Sequence, residues 1–262
     1  MPLFQIVTFL LVSAGWRCHT TPEKSAAVAE VPVEHHIAGQ NLVPVQTKVD
    51  QAYLMGQFDP ASHPDFVAVG APYADRTDMR LRREAFEDFK KMWDAAKKDG
   101  IVLKIISSTR TFAQQKGIWE GKWARFAKES PSAEARALKI LEYSSMPGSS
   151  RHHWGTDIDL NDLNNAAFET GGKHARVYEW LQTHAAAYGF GQPYTAKGTE
   201  RPNGYNEERW HWSYLPLSKP FLAQYRTTVT NEAYTGFKGS ETAKSIQIIE
   251  NYVNGISKNC QP

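Results

Sequence analysis

The stretch Thr156-Asp157-Ile158-Asp159-Leu160 limits what this chain can fold into more than any other. Side chains alternate between faces along a strand, so the pattern predicts a half-buried strand with Asp157 and Asp159 on the same face. Two carboxylates held there need partners. The flanking sequence is a mixture. Ala85, Phe86, Phe89, Met92, Trp93 and Ala96 recur at three-four spacing and predict an amphipathic helix, stopped by Gly100 with Lys97 and Lys98 suiting its C-terminal dipole. Residues 101–106 are short and β-branched and read as a strand, as does Trp210 to Tyr214. Helices are expected over about 112–128 and, from Ser132 as N-cap, to about Tyr143. Tyr178, Leu181, Ala185 and Tyr188 mark another, ended by Gly189, and Ile246, Ile249, Val253 and Ile256 a last one. Residues 59–75 hold three prolines and read as loop, as do residues 192–206. Strands and helices without regular alternation predict an α+β fold rather than a doubly wound sheet.

Composition narrows the function. Hydrophobic residues make 41% of the 262, enough for a core, which excludes wholesale disorder. A formal charge of +2 is too weak a field for a nucleic-acid binder, so no nucleic-acid partner is expected. Cys18 and Cys260 alone exclude a disulfide-dense scaffold and a four-thiolate zinc site. The apolar run from Leu3 to Ala14 is too short to span a bilayer and reads as a secretory signal, although no basic residue precedes it. Cys18 then suggests a lipoprotein anchor and membrane attachment, with a Cys18–Cys260 disulfide as the competing fate. The expected organisation is a signal or lipoprotein segment over 1–18, an arm over 19–50, a main domain over 51–235 and a C-terminal helix over 236–262.

Several hydrolase signatures are missing, among them Ser-x-x-Lys, Gly-x-Ser-x-Gly, His-Glu-x-x-His and the phosphate-binding Gly-x-x-x-x-Gly-Lys-Ser/Thr. What remains is Pro147-Gly-Ser-Ser-Arg-His-His-Trp-Gly-Thr-Asp-Ile-Asp-Leu160 and Glu208-Arg-Trp-His-Trp212. A catalytic zinc site needs three His/Asp/Glu ligands and one open position. If the strands carrying Asp159 and His211 are neighbours, His152, Asp159 and His211 can converge. Glu208, three residues before His211, could then reach a metal-bound water without being a ligand. His153, His174 and His184 read as packed or surface residues, and Trp119 and Trp123 as core.

Ser150-x-His152-x-x-Gly155-x-x-x-Asp159, followed some fifty residues later by Glu208-x-Trp-His211, resembles the VanY-type D-alanyl-D-alanine carboxypeptidases, of the wider group that includes lysostaphin-like peptidases and the Hedgehog signalling domain. Ser107-Ser-Thr-Arg110, with Gln114 and Gln115 beyond it, matches the family's upstream segment. The resemblance implies a small antiparallel sheet flanked by helices and one zinc per chain, held by His152, Asp159 and His211. It implies Glu208 as general base and Arg110 as the group holding the substrate carbonyl. Ser150, Gln115 and Asp157 are the candidate substrate-binding residues. The family usually has a small residue where this chain has Asp157, so Asp157 is also the alternative ligand to Asp159. The implied substrate is peptidoglycan or a muropeptide stem, and the implied location is secreted or in the cell envelope. Zinc would bring the pKa of a bound water from about 15.7 to roughly 7. Lys197 and Arg201 are candidates to meet a C-terminal carboxylate. An L,D-carboxypeptidase, a cross-link endopeptidase and a non-catalytic zinc module are the competing readings.

Overall fold

The computed structural model describes residues 48–262, so the apolar run, Cys18 and most of the arm lie outside the described residues. The chain runs α1 (Gln51–Leu54), β1 (Phe66–Val69), β2 (Met79–Arg82), α2 (Arg83–Lys98), β3 (Ile105–Ser107), α3 (Phe112–Arg125), α4 (Ala133–Ile140), β4 (Asp157–Leu160), α5 (Ala175–His184), β5 (Phe190–Gly191), β6 (His211–Tyr214) and α6 (Leu215–Thr228). β1 and β2 pair as an antiparallel ribbon, and the other four strands form a sheet in the order β3-β4-β6-β5 with every pairing antiparallel. This is the expected α+β arrangement. No helix among the described residues is long and apolar enough to cross a membrane.

The helices form for the reasons their sequences suggest. α2 buries Ala85, Phe86, Phe89, Met92 and Ala96 along one stripe, each large side chain contributing roughly 1.5–3 kcal/mol of transfer free energy. Gly100, at φ +72°, lets the chain turn out of it. α3 starts on a capping box between Thr111 and Gln114 and buries Gln115, Trp119 and Trp123. Ser132 caps α4 by accepting from the Ala135 amide.

Three stretches depart from the sequence expectation. β1 lies inside residues 59–75, where the prolines hide a strand whose partner is beyond them. α6 carries Pro216 in its first turn, where the missing amide costs nothing, and Pro220 within it. The expected C-terminal α-helix is instead a series of short turns: 3-10 at Ser240–Thr242 and Lys258–Cys260, π-helical at Ile249–Val253. Gln247 at φ +55° interrupts any continuous α-helix there. Ile246, Ile249, Val253 and Ile256 are nevertheless buried, so the apolar pattern reports burial without the helix. Cys260 is buried and has no disulfide partner among the described residues, and a bond to Cys18 lies outside them.

Candidate metal centre

The sheet register brings the donors together. Asp159 on β4 stands directly across from His211 on β6 and, on its other side, from Ser107 on β3. His152 comes from a single 3-10 turn, Arg151–Trp154, that leads into β4. Buried Trp154 pins this turn by donating to the Leu54 carbonyl and receiving the Tyr53 hydroxyl on its own. Gly155 ends the turn at φ +73°, and a Cβ there would lie 2.3 Å from the Phe66 ring. Only glycine satisfies both the backbone and the packing. The Arg110 amide donates to the His152 carbonyl, tying the end of β3 to the same turn.

Each histidine has one ring nitrogen engaged and one aimed inward. His152 Nδ1 sits 2.8 Å from the Ser108 carbonyl, which makes it the donor and leaves Nε2 facing Asp159 Oδ2 at 3.4 Å. His211 Nε2 lies 2.9 Å from Asp157 Oδ1, leaving Nδ1 3.1 Å from Asp159 Oδ1. One donor atom from each of His152, Asp159 and His211 lies within 4.8 Å of the others. Imidazoles oriented by an outer carbonyl and an outer carboxylate, converging on a carboxylate, fit a zinc-type ion.

Electrostatics follow from burial and charge. Burial opposes charge on His211, yet hydrogen bonds to Asp157 and Asp159 outweigh it and push its pKa up to about 9. Burial and then Arg110 hold the pKa of His152 below its usual value. Asp159 is pulled well down, its desolvation outweighed by the two histidines. Glu208 is 3.5 Å from His211 Nδ1, and burial, with Asp159 adding to it, pushes its pKa up to about 8.

A cleft of about 380 Å³ opens onto these groups, and Arg110, Gln115, Ser150 and Glu208 line it with the three donors. Arg110 donates Nε to Gln115 and Nη1 to Ser107 and stands 3.8 Å from Asp159. Gln115 is fixed in turn by donating to the Ser145 carbonyl, so it orients Arg110. Ser150 Oγ is buried without a hydrogen-bond partner among the described residues. Asp157 is the exception among the expected substrate contacts: it is fully buried and lies outside the cleft lining. It accepts from Arg151, Thr156, Ser213 and His211, which fills its lone pairs and leaves none for substrate or ion. Arg201 also turns away. It donates to the carbonyls of Thr195, Asn203 and Tyr205, bracing its own loop, while Lys197 is exposed away from the cleft. His153 is a packed histidine, bridging the Arg110 carbonyl and the Gly148 amide. Sequence reasoning passed over Lys122, which lines the cleft. The signal was there: Lys122 follows Gln115 by seven residues, two turns along one helix face.

The family model for VanY, D-alanyl-D-alanine carboxypeptidase, matches residues 78–217, and the chain belongs to that family. It is 33% identical over 144 residues to a D-alanyl-D-alanine carboxypeptidase of Enterococcus faecalis, covering 55% of this chain and 50% of that protein. It is 30% identical over 182 residues to YodJ of Bacillus subtilis, covering 67% of this chain and 62% of that one. The chain thus spans half to about six tenths of these relatives. Among solved structures, the LD-carboxypeptidase LdcB aligns with a TM-score of 0.48 at 24% identity, over 76% of this chain and 78% of that one.

Proposed function

We propose that this chain is a zinc-dependent D-alanyl-D-alanine carboxypeptidase acting on the peptide stems of peptidoglycan. One observation carries the reading: the buried His152–Asp159–His211 donor set opens onto a cleft that also holds Glu208 and Arg110. A zinc ion, when bound, polarises the scissile carbonyl and makes water nucleophilic at neutral pH. Glu208 takes the proton of the attacking water and delivers it to the leaving amine. Burial raises its proton affinity, which suits delivery of the proton, and a cation held by His152, Asp159 and His211 would lower it enough for the carboxylate to accept that proton first. Arg110, held by Gln115 and Ser107, presents its guanidinium to the oxygen that gains negative charge. A non-catalytic zinc module would have no use for this base and cation together. The substrate puts the enzyme at the cell envelope, in line with the expected secretion segment at Leu3–Ala14.

The test is incubation with a pentapeptide stem ending in D-Ala-D-Ala, a tetrapeptide stem and a cross-linked dimer, with the released fragment identified by mass spectrometry. The expected result is free D-alanine from the pentapeptide, lost on chelation and restored by zinc. Preferential cleavage of the tetrapeptide would replace this reading with an L,D-carboxypeptidase, and of the dimer with an endopeptidase. Release from none of them would refute it.

A further inference from the structure

Gln115, Ile118 and Lys122 share the face of α3 that borders the cleft, while Trp119 and Trp123 point into the core. Lys122 is half-buried and donates to Ser144 Oγ at 2.9 Å. It differs from the other two cations of the cleft. Arg151 is committed to Asp157 and Ser213, and Arg110 is committed to Gln115 and Ser107 and lies close to Asp159. Lys122 has no ion pair among the described residues. Its one partner is a neutral hydroxyl. Burial, then Arg125 and Arg110, lower its pKa, and the attraction of Glu208 offsets only part of that. Glu208 of the same cleft attracts it through space without pairing with it, and an ammonium held partly out of water with no carboxylate in contact is costly until one arrives.

We propose that Lys122 is a specificity-determining residue that receives a carboxylate of the peptide substrate. The inference rests on the peptidase reading of the cleft. Two substrate carboxylates have this chemistry: the C-terminal one on the leaving side, and one on a side chain of the acyl side. The ammonium forms a charge-assisted hydrogen bond to either, beside the bond it already makes to Ser144. A purely positioning role is the competing account, because the neighbouring Ser145 carbonyl holds Gln115, and Gln115 holds Arg110.

The experiment uses two matched pairs of stem peptides. One pair differs by a free or amidated C-terminus, the other by a carboxylate or carboxamide on the acyl side. kcat/KM is measured for wild type, Lys122→Gln and Lys122→Arg. Lys122→Gln should lose roughly ten- to a hundredfold on the acid of one pair and less than about threefold on its amide, the worth of one charge-assisted hydrogen bond. The affected pair identifies the carboxylate, and Lys122→Arg should retain most of the preference. An equal loss on acid and amide in both pairs, or no loss, would overturn the assignment, since a positioning defect ignores substrate charge. If wild type cleaves no peptide, the peptidase reading falls. Calorimetric binding of the same pairs then decides Lys122: a selective loss of acid affinity in Lys122→Gln supports it, and unchanged or equally weakened binding overturns it.

Discussion

Asp157 and Asp159 sit two residues apart on one strand, share a face and are both charged. Asp157 is 0% exposed and Asp159 4%, so burial does not separate them. Their neighbours do. Asp157 accepts from two hydroxyls, a guanidinium and an imidazole. Asp159 faces two imidazole nitrogens and, further off, Arg110. One carboxylate is saturated by permanent donors. The other is surrounded by groups that can all turn their lone pairs or charge toward a shared centre. The lesson is that a candidate ligand stands out by what is left unsatisfied around it, while its saturated neighbour is placed to aim His211.

The largest effect should come from the unsatisfied member. Asp159→Ala should bring zinc content per chain to near zero and remove activity, measured by metal analysis after dialysis. If Asp157→Ala strips the ion and Asp159→Ala keeps it, the two roles are reversed. Glu208→Gln should hold the ion while turnover falls by roughly 10² to 10⁴, the usual worth of a general base; near-normal turnover with zinc bound would remove Glu208 from the chemistry. Asp157→Asn should weaken zinc binding by about 10- to 100-fold without abolishing it, as expected for a group that orients a ligand. It should also destabilise the fold by about 3 to 5 kcal/mol, because Arg151 is left buried and unpaired, a loss readable in a urea titration.

The smallest effect extends the comparison to a saturated cluster beyond the cleft. Arg82 is buried between Asp65 and Glu84, with ion pairs of 2.9 Å to each, and also reaches the Tyr53 hydroxyl. Burial would raise the Glu84 pKa, but the Arg82 hydrogen bond prevails and lowers it. A carboxylate with a depressed folded pKa stabilises the native state above its unfolded pKa, and that contribution disappears as pH falls through the folded value. Stability should therefore decline below about pH 4.5, and Glu84→Gln should flatten that decline by roughly 1 kcal/mol. Parallel acid limbs for wild type and variant in chemical denaturation would show that Glu84 does not contribute.

The convergence of His152, Asp159 and His211 was legible on the condition that two strands pair, and the register of β4 and β6 then sets Asp159 opposite His211. The different surroundings of Asp157 and Asp159 were not, since the partners Arg151, Ser213 and His211 come from three places in the chain. Arg201 misled for a related reason. A charge in a Gly- and Pro-rich loop looks solvated or substrate-facing, whereas here Nη1 and Nη2 of the guanidinium donate to carbonyls of its own loop and, more weakly, to that of Gly255. β1 was obscured because a four-residue strand among prolines has no periodicity of its own and exists through its pairing with β2.

Gly155 has a consequence for where the working protein begins. Its missing side chain is the space into which Phe66 packs, and the Arg82 amide donates to its carbonyl. Trp154, one residue earlier, is moored to Leu54 and Tyr53, and Gly148, at the head of the same loop, receives the Tyr225 hydroxyl. Of these moorings, Leu54, Tyr53, Phe66 and Tyr225 all fall outside residues 78–217, the segment that carries the family signature. A gene trimmed to that signature would encode His152, Asp159, His211 and Glu208, yet it would express a polypeptide whose His152 turn has lost its foundations on both sides.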